Sequence, residues 1–140
     1  MNLKVIVDTG FWIALYDPTK QPENYLEAER IANEIEDENI IIPFPTLYEF
    51  VNSRLSRRES KLQFEKLLGR PNITKLSDSK YKSKALENFF LKSNLEYSDI
   101  SLVDEVIKLI IADNSIRIDY IASFDGQLLN EALSKGIRKV

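Results

Sequence analysis

Four acidic residues of this 140-residue chain stand where apolar segments end or helices open: Asp8, Glu49, Asp104 and Asp125. Asp8 follows Val5-Ile6-Val7. Glu49 lies in Pro45-Thr46-Leu47-Tyr48-Glu49-Phe50, just past Ile40-Ile41-Ile42. Asp104 is in the first turn of the helix opened by Ser101, and Asp125 follows Ile121-Ala122-Ser123-Phe124. Carboxylates brought together repel, and some must protonate unless a cation sits among them. Helix N-termini offset this only weakly. A hard divalent cation offsets much more. Mg²⁺ prefers oxygen ligands and keeps several waters, binding through a few carboxylates plus substrate phosphate. Such a cation activates water and stabilises the charge developing on a phosphodiester. The chain has no His and no Cys. That excludes Ser-His-Asp catalysis, HExxH and thiolate zinc sites, disulfides and cysteine nucleophiles. Metal-activated water is then the most economical hydrolytic chemistry available.

Each acid also has a local reading. Asp is a good N-cap, so Asp8 can cap the short helix after it. Thr46 and Glu49 have capping-box spacing, as do Ser101 and Asp104. Asp104 stands four residues before Lys108, the spacing of a helical ion pair. Asp125-Gly126 is an ordinary turn pair. Two hydroxyls accompany the acids, Thr9 beside Asp8 and Ser123 two residues before Asp125. Either can orient a carboxylate or a water, or bond the local backbone. Phe11 and Trp12 read as core rather than as base-stacking surfaces, and Tyr81, between Lys80 and Lys82, is a candidate for stacking on a base.

The elements that would position these residues alternate. Leu3 to Val7, Ile40 to Ile42, Ile73 to Leu76, Asp119 to Ser123 and Gly136 to Val140 read as short strands. Pro43 is expected to stop the second. Helices are expected over Phe11 to Tyr16, Pro22 to about Glu38, Thr46 to about Ser56, Glu59 to Leu68, Asp78 to Lys92, Ser101 onward, and Asp125 to about Leu133. Short apolar strands alternating with helices imply an α/β fold with a parallel sheet buried on both faces. Sites in open α/β sheets lie at the carboxyl ends of the strands, and in a parallel sheet the four acids are expected to converge at that edge.

Composition is globular, 44% hydrophobic and 29% charged, with 4 Gly and 5 Pro. There is no internal repeat and no linker, so one domain is expected over 1–140. The first apolar run is too short for a signal peptide and ends in an acid. No run approaches the roughly 18 apolar residues of a membrane span, and a cytoplasmic protein is expected. The net charge of −3 hides an asymmetry: residues 54–84 carry ten basic residues against three acids, +7 locally against −10 elsewhere. Such a block is either a footprint for a polyanion or a set of solvated helix faces.

The stretch Val5-Ile6-Val7-Asp8-Thr9-Gly10-Phe11-Trp12-Ile13-Ala14-Leu15 resembles the opening of PIN-domain nucleases. Pro45 to Phe50 is similar to the segment bearing their second acid, Ser101 to Asp104 to that of the third, and Ile121 to Asp125 to that of the fourth. The four motifs occur in the family's order over nearly the whole chain. The resemblance implies a central parallel sheet sandwiched by helices, and Mg²⁺- or Mn²⁺-dependent cleavage of RNA, mainly single-stranded. Many short members are VapC-type toxins that dimerise and are blocked by a small antitoxin. Asp8, Glu49 and Asp104 match the family's metal-binding acids, Asp125 its more variable fourth acid, and Thr9 and Ser123 its accompanying hydroxyls. Two departures stand out. Gly10 replaces the Ser or other small residue that is common in toxins, and the fourth motif reads Ser-Phe-Asp rather than Thr-x-Asp.

The resulting expectation is a metal-dependent endoribonuclease, either the toxin of a toxin–antitoxin pair or a stand-alone nuclease, acting as a homodimer. Asp8 and Asp104 would be direct ligands, with Glu49 and Asp125 as ligands or holders of water. Products would carry 5′-phosphate and 3′-hydroxyl ends, and Arg54, Arg57 and Arg58 would contact RNA phosphates. The alternative is a non-catalytic PIN-like module that binds RNA or protein. A phosphotransfer domain using Asp8 as nucleophile fits poorly, because Lys108, expected on a helix, is not at a late strand end.

Overall fold

The apolar strands have neighbours on both faces, and their alternation divides the core in two. The computed structural model describes residues 2–53, 58–95 and 100–140. Five strands, β1 (Lys4–Val7), β2 (Asn39–Pro43), β3 (Ile73–Leu76), β4 (Tyr120–Ala122) and β5 (Arg138–Lys139), form one sheet in the order β3-β2-β1-β4-β5. All neighbouring pairs are parallel. Val5, Val7, Ile40 and Ile42 pack against α1 (Thr9–Tyr16), α2 (Pro22–Glu34), α3 (Phe44–Ser53) and α4 (Arg58–Leu68). Ile6, Ile41 and Ile121 face the opposite way, onto α5 (Lys82–Asn94), α6 (Leu102–Ala112) and α7 (Gly126–Ser134). The expected α/β sandwich with a parallel central sheet is therefore the observed one. Charged residues on the edge strands, Lys75 on β3 and Arg138 and Lys139 on β5, discourage pairing with another sheet.

Strand order points to one crevice by topology alone. From β1 the chain builds outward to β2 and β3, then returns to the other side of β1 for β4 and β5. The order reverses between β1 and β4, and open α/β sheets bind ligands at that crevice, outside the carboxyl ends of the strands. Asp8 immediately follows β1, and Ser123 immediately follows β4.

On the α1–α4 side an aromatic cluster holds the layer together. The Phe64 ring meets Phe50, Trp12 and Tyr16 at 5.0, 5.3 and 5.5 Å between centroids. Phe64 is the only fully buried side chain described on α4, and the partly buried Leu67 and Leu68 pack beside it on the same core. Phe64→Ala is expected to cost about 3–5 kcal/mol, read as a lowered denaturant midpoint. A loss under about 1 kcal/mol would show that α4 contributes little to the core. Trp12 and Tyr81 are buried as well. Tyr81 donates its hydroxyl to Asp113 Oδ2 at 2.6 Å, so it is core and not a stacking surface.

Several element boundaries differ from expectation. Pro43 does not stop β2; it is the last strand residue, in register with Leu76. The next helix begins at Phe44, not Thr46. Pro45 then falls in its first turn, where the missing N–H is not needed. The capping-box reading of Thr46 and Glu49 fails with it: Thr46 lies inside the helix, fully buried, its hydroxyl without a partner among the described residues. Glu49 sits in the second turn. Residues 78–81 form a turn, and the helix expected from Asp78 starts at Lys82.

Lys108 does not make the expected pair with Asp104. It reaches Glu105 at 3.4 Å, and Lys92 of α5 reaches the same carboxylate at 2.7 Å. Glu105 is buried, and the two ammonium groups make that burial tolerable by tying α5 to α6.

Candidate functional site

Asp8 leaves β1 in extended conformation and caps α1. Its Oδ1 accepts the Phe11 N–H at 2.9 Å. Its Oδ2 accepts the Ser123 hydroxyl at 2.5 Å, and Ser123 Oγ in turn accepts the Asp125 N–H at 3.0 Å. One short polar chain thus joins the ends of β1 and β4. Asp125 caps α7 with Oδ1, which accepts the N–H groups of Gln127 and Leu128 at 2.8 and 3.2 Å. Asp104 lies in the first turn of α6, whose N-cap Ser101 accepts the Asp104 N–H at 3.2 Å. The capping readings of Asp8 and Ser101 are therefore correct, and Asp125, expected in a turn pair with Gly126, instead caps α7. These caps do not compete with a site, because a cap uses one face of the side chain.

All four acids line one open cavity of about 510 Å³, together with Thr9 and Gly10. Asp8 is only 4% exposed, Asp104 and Asp125 are half-buried, and Glu49 is exposed. The electrostatic cost of this grouping is visible in two of them. Burial pushes the Asp8 carboxyl up to about 6 against the two hydrogen bonds that favour its charge, and Asp125 and Glu49 add to the rise. Asp104 is also pushed up to about 6, by burial first and then by Asp125 and Asp8, with Lys108 opposing. Mutual repulsion in a cavity whose described lining holds no Lys or Arg is the condition a cation relieves.

The donor set is all oxygen, the choice of a hard divalent ion. Thr9, 6% exposed, adds a buried hydroxyl that has no partner among the described residues. Among the described residues no three carboxylates stand at the spacing of a single ion's ligands. A cation here would take one or two carboxylates directly and water elsewhere, as Mg²⁺ prefers. A Cβ at Gly10 would lie 3.8 Å from Asp8 Oδ1, an ordinary contact, so the departure at Gly10 leaves the cavity unchanged in kind.

The basic block is less concentrated than its sequence. Arg70 pairs with Glu36, Lys80 with Asp113 and Lys84 with Glu87. Arg58 is exposed at the start of α4 and does not line the cavity; Arg54 and Arg57 lie outside the described residues. The cavity also has a wall absent from the sequence reading. Gln21, Glu23 and Asn24 at the start of α2, with Ile13 and Phe124, complete its lining. Only the packing of α2 on α1 brings the first three there, and no motif marks them.

No family model matches the chain, and no curated protein matches it in sequence. Solved structures do match. VapC20 of Mycobacterium tuberculosis, a sarcin-ricin loop cleaving toxin, is similar with a TM-score of 0.66 at 17% identity, over 89% of this chain and 92% of that one. A chain of VapBC2 from Rickettsia felis, solved with a DNA fragment from their promoter, is similar with a TM-score of 0.57 at 12% identity, over 97% of each. At such identities the likeness is one of fold: this chain has the VapC-type PIN-domain fold.

Proposed function

We propose that this protein is an endoribonuclease that hydrolyses phosphodiester bonds of single-stranded RNA with Mg²⁺ or Mn²⁺, and that it is the toxin of a toxin–antitoxin pair. The observation that carries this reading is the convergence of Asp8, Glu49, Asp104 and Asp125, from four separate elements, on one cavity at the point where the strand order reverses. Asp8 and Asp104 would hold the cation, and Glu49 and Asp125 would bind it or orient water. When bound, the cation supplies a water of lowered pKa and charge stabilisation on the phosphoryl oxygens.

The chain's own groups do the positioning. Ser123 and the Phe11 N–H fix the Asp8 carboxylate. The contacts of Gln127 and Leu128 fix one oxygen of Asp125 and leave Oδ2 facing no other partner among the described residues. In-line attack then leaves a 5′-phosphate and a 3′-hydroxyl. The test is cleavage of a mixed single-stranded RNA pool with Mn²⁺, Mg²⁺ or EDTA; cleavage that persists in EDTA would defeat the reading.

RNA must reach an acidic cavity, so phosphate contacts are assigned to Arg54, Arg57 and Arg58, which follow Glu49 in the chain. Arg57→Ala should weaken binding across all RNA sequences and reduce the salt slope by about 1. An unchanged slope would remove Arg57 from the interface. A homodimer and an antitoxin belong to the same proposal. Leu86, Phe90 and Leu91 are exposed on α5, and this supports an apolar contact with another protein chain. A non-catalytic binding module is the second reading, favoured by the carboxylate spacing described above.

A further inference from the structure

We infer that the part of the cavity closed by the first turn of α2 is a nucleobase subsite: Phe124 and Ile13 take the face of the base, and Gln21 and Asn24 hydrogen-bond its edge. The inference rests on the nuclease reading and deepens it, because it assigns the residues that choose where the RNA is held.

Three observations converge on it. The first is charge. Glu23 adds a carboxylate to this wall, and no Lys or Arg lines the cavity among the described residues. A phosphate is repelled there, whereas a neutral base is not.

The second is the carboxamide pair. Asn24 Nδ2 donates to Gln21 Oε1 at 3.2 Å, which steadies both side chains. This leaves the Gln21 amide as a donor and Asn24 Oδ1 as an acceptor, with no further partner for either among the described residues. A donor beside an acceptor is the pattern that reads a base edge, and single-stranded RNA offers such edges unpaired.

The third is the aromatic ring. Phe124 is half-buried and lines the cavity. It lies nearly parallel to Phe11, 6.2 Å between centroids and 16° between planes, so it is already held in place. Aromatic faces stack bases of any identity, and edge contacts then discriminate. With Glu23 and Asn24 Oδ1 both accepting, the bases that carry an exocyclic amino group, adenine, cytosine and guanine, are favoured over uracil, which has none.

The test measures binding of oligo-A, oligo-C and oligo-U hexamers in Ca²⁺ by calorimetry, alongside cleavage in Mn²⁺. Wild type should bind the A or C hexamer about tenfold more tightly than the U hexamer. Gln21→Ala/Asn24→Ala should bring the three within about twofold, and Phe124→Leu should weaken all of them by about fivefold. Both substitutions should leave the melting temperature within a few degrees of wild type, a check that the fold survives. A base preference that the double variant erases, in a protein that cuts nothing, keeps the subsite and removes the nuclease. Cleavage with equal binding of all three hexamers, or with an undiminished preference in the double variant, removes the subsite and keeps the nuclease. No measurable binding of any hexamer overturns the subsite as well.

Discussion

Asp8→Asn is expected to abolish RNA cleavage and, in the same sample, to make the protein more stable. The two effects have one cause. Asp8 is held in a buried place where its charge is disfavoured, so its carboxyl sits near pH 6 in the folded chain and near 3.8 when unfolded. A carboxyl raised in this way contributes stability that is complete below pH 3.8 and lost as pH rises through about 6. At pH 7.5 without metal the loss is roughly 3 kcal/mol. Asn is neutral and nearly the same shape. Its carbonyl still caps α1, and Asn is as good a cap as Asp. Its amide can donate to Ser123 Oγ once that hydroxyl turns. The variant should therefore melt several degrees above wild type in EDTA at pH 7.5, with the gap closing near pH 4. Cleavage should fall by a factor on the order of 10²–10³ or more, the scale for removing a group that supports charge in the transition state. Equal melting temperatures at pH 7.5 would mean that Asp8 is not strained. Undiminished cleavage would remove it from the reaction.

The same contrast explains what could be read from residues alone. Asp8, Ser123 and Asp125 were legible because each follows a short apolar run, and a parallel sheet sends the carboxyl ends of β1 and β4 to one edge. Ser101 and Asp104 were legible because a hydroxyl before an apolar helix is a local cap. The failures are non-local. Lys92, thirteen residues before Glu105, meets that carboxylate across the α5–α6 contact, a pairing that no local spacing marks. Lys108 is offered Asp104 by helical spacing and Glu105 by the geometry of the packed helix, and the doubly paired, buried carboxylate wins. The helix expected to open at Thr46 starts two residues earlier, because Pro43 ends β2 and Pro45 fits in the first turn of α3. A strand end and a first helical turn are the two places where a missing N–H does no harm. Gln21 and Asn24 could not be found at all, since polar residues at a helix start are ordinary until a second element places a cavity beside them.

Mn²⁺ should stabilise the wild-type protein strongly at pH 7.5 and weakly at pH 5. An ion that binds only the folded chain raises its stability by about 2.7 kcal/mol when present at a hundred times its dissociation constant. Binding needs ionised carboxylates, so protons compete with the metal. Asp8 and Asp104, both raised to about 6, are largely ionised at pH 7.5 and largely protonated at pH 5. An ordinary surface carboxylate, with a pKa near 4, would bind Mn²⁺ almost equally at the two pH values. The pH dependence therefore separates binding in the cavity from loose binding elsewhere on a chain of net charge −3. Melting curves with and without Mn²⁺ at the two pH values read it directly. The Mn²⁺ shift should shrink sharply in both Asp8→Asn and Asp104→Asn at pH 7.5. Asp113→Asn serves as a control, because that acid is already engaged by Lys80 and Tyr81. A shift of equal size at pH 5 and 7.5, or one that survives both cavity substitutions, would place the ion outside the cavity, and the four acids would then be caps and turns on a scaffold that binds without cutting.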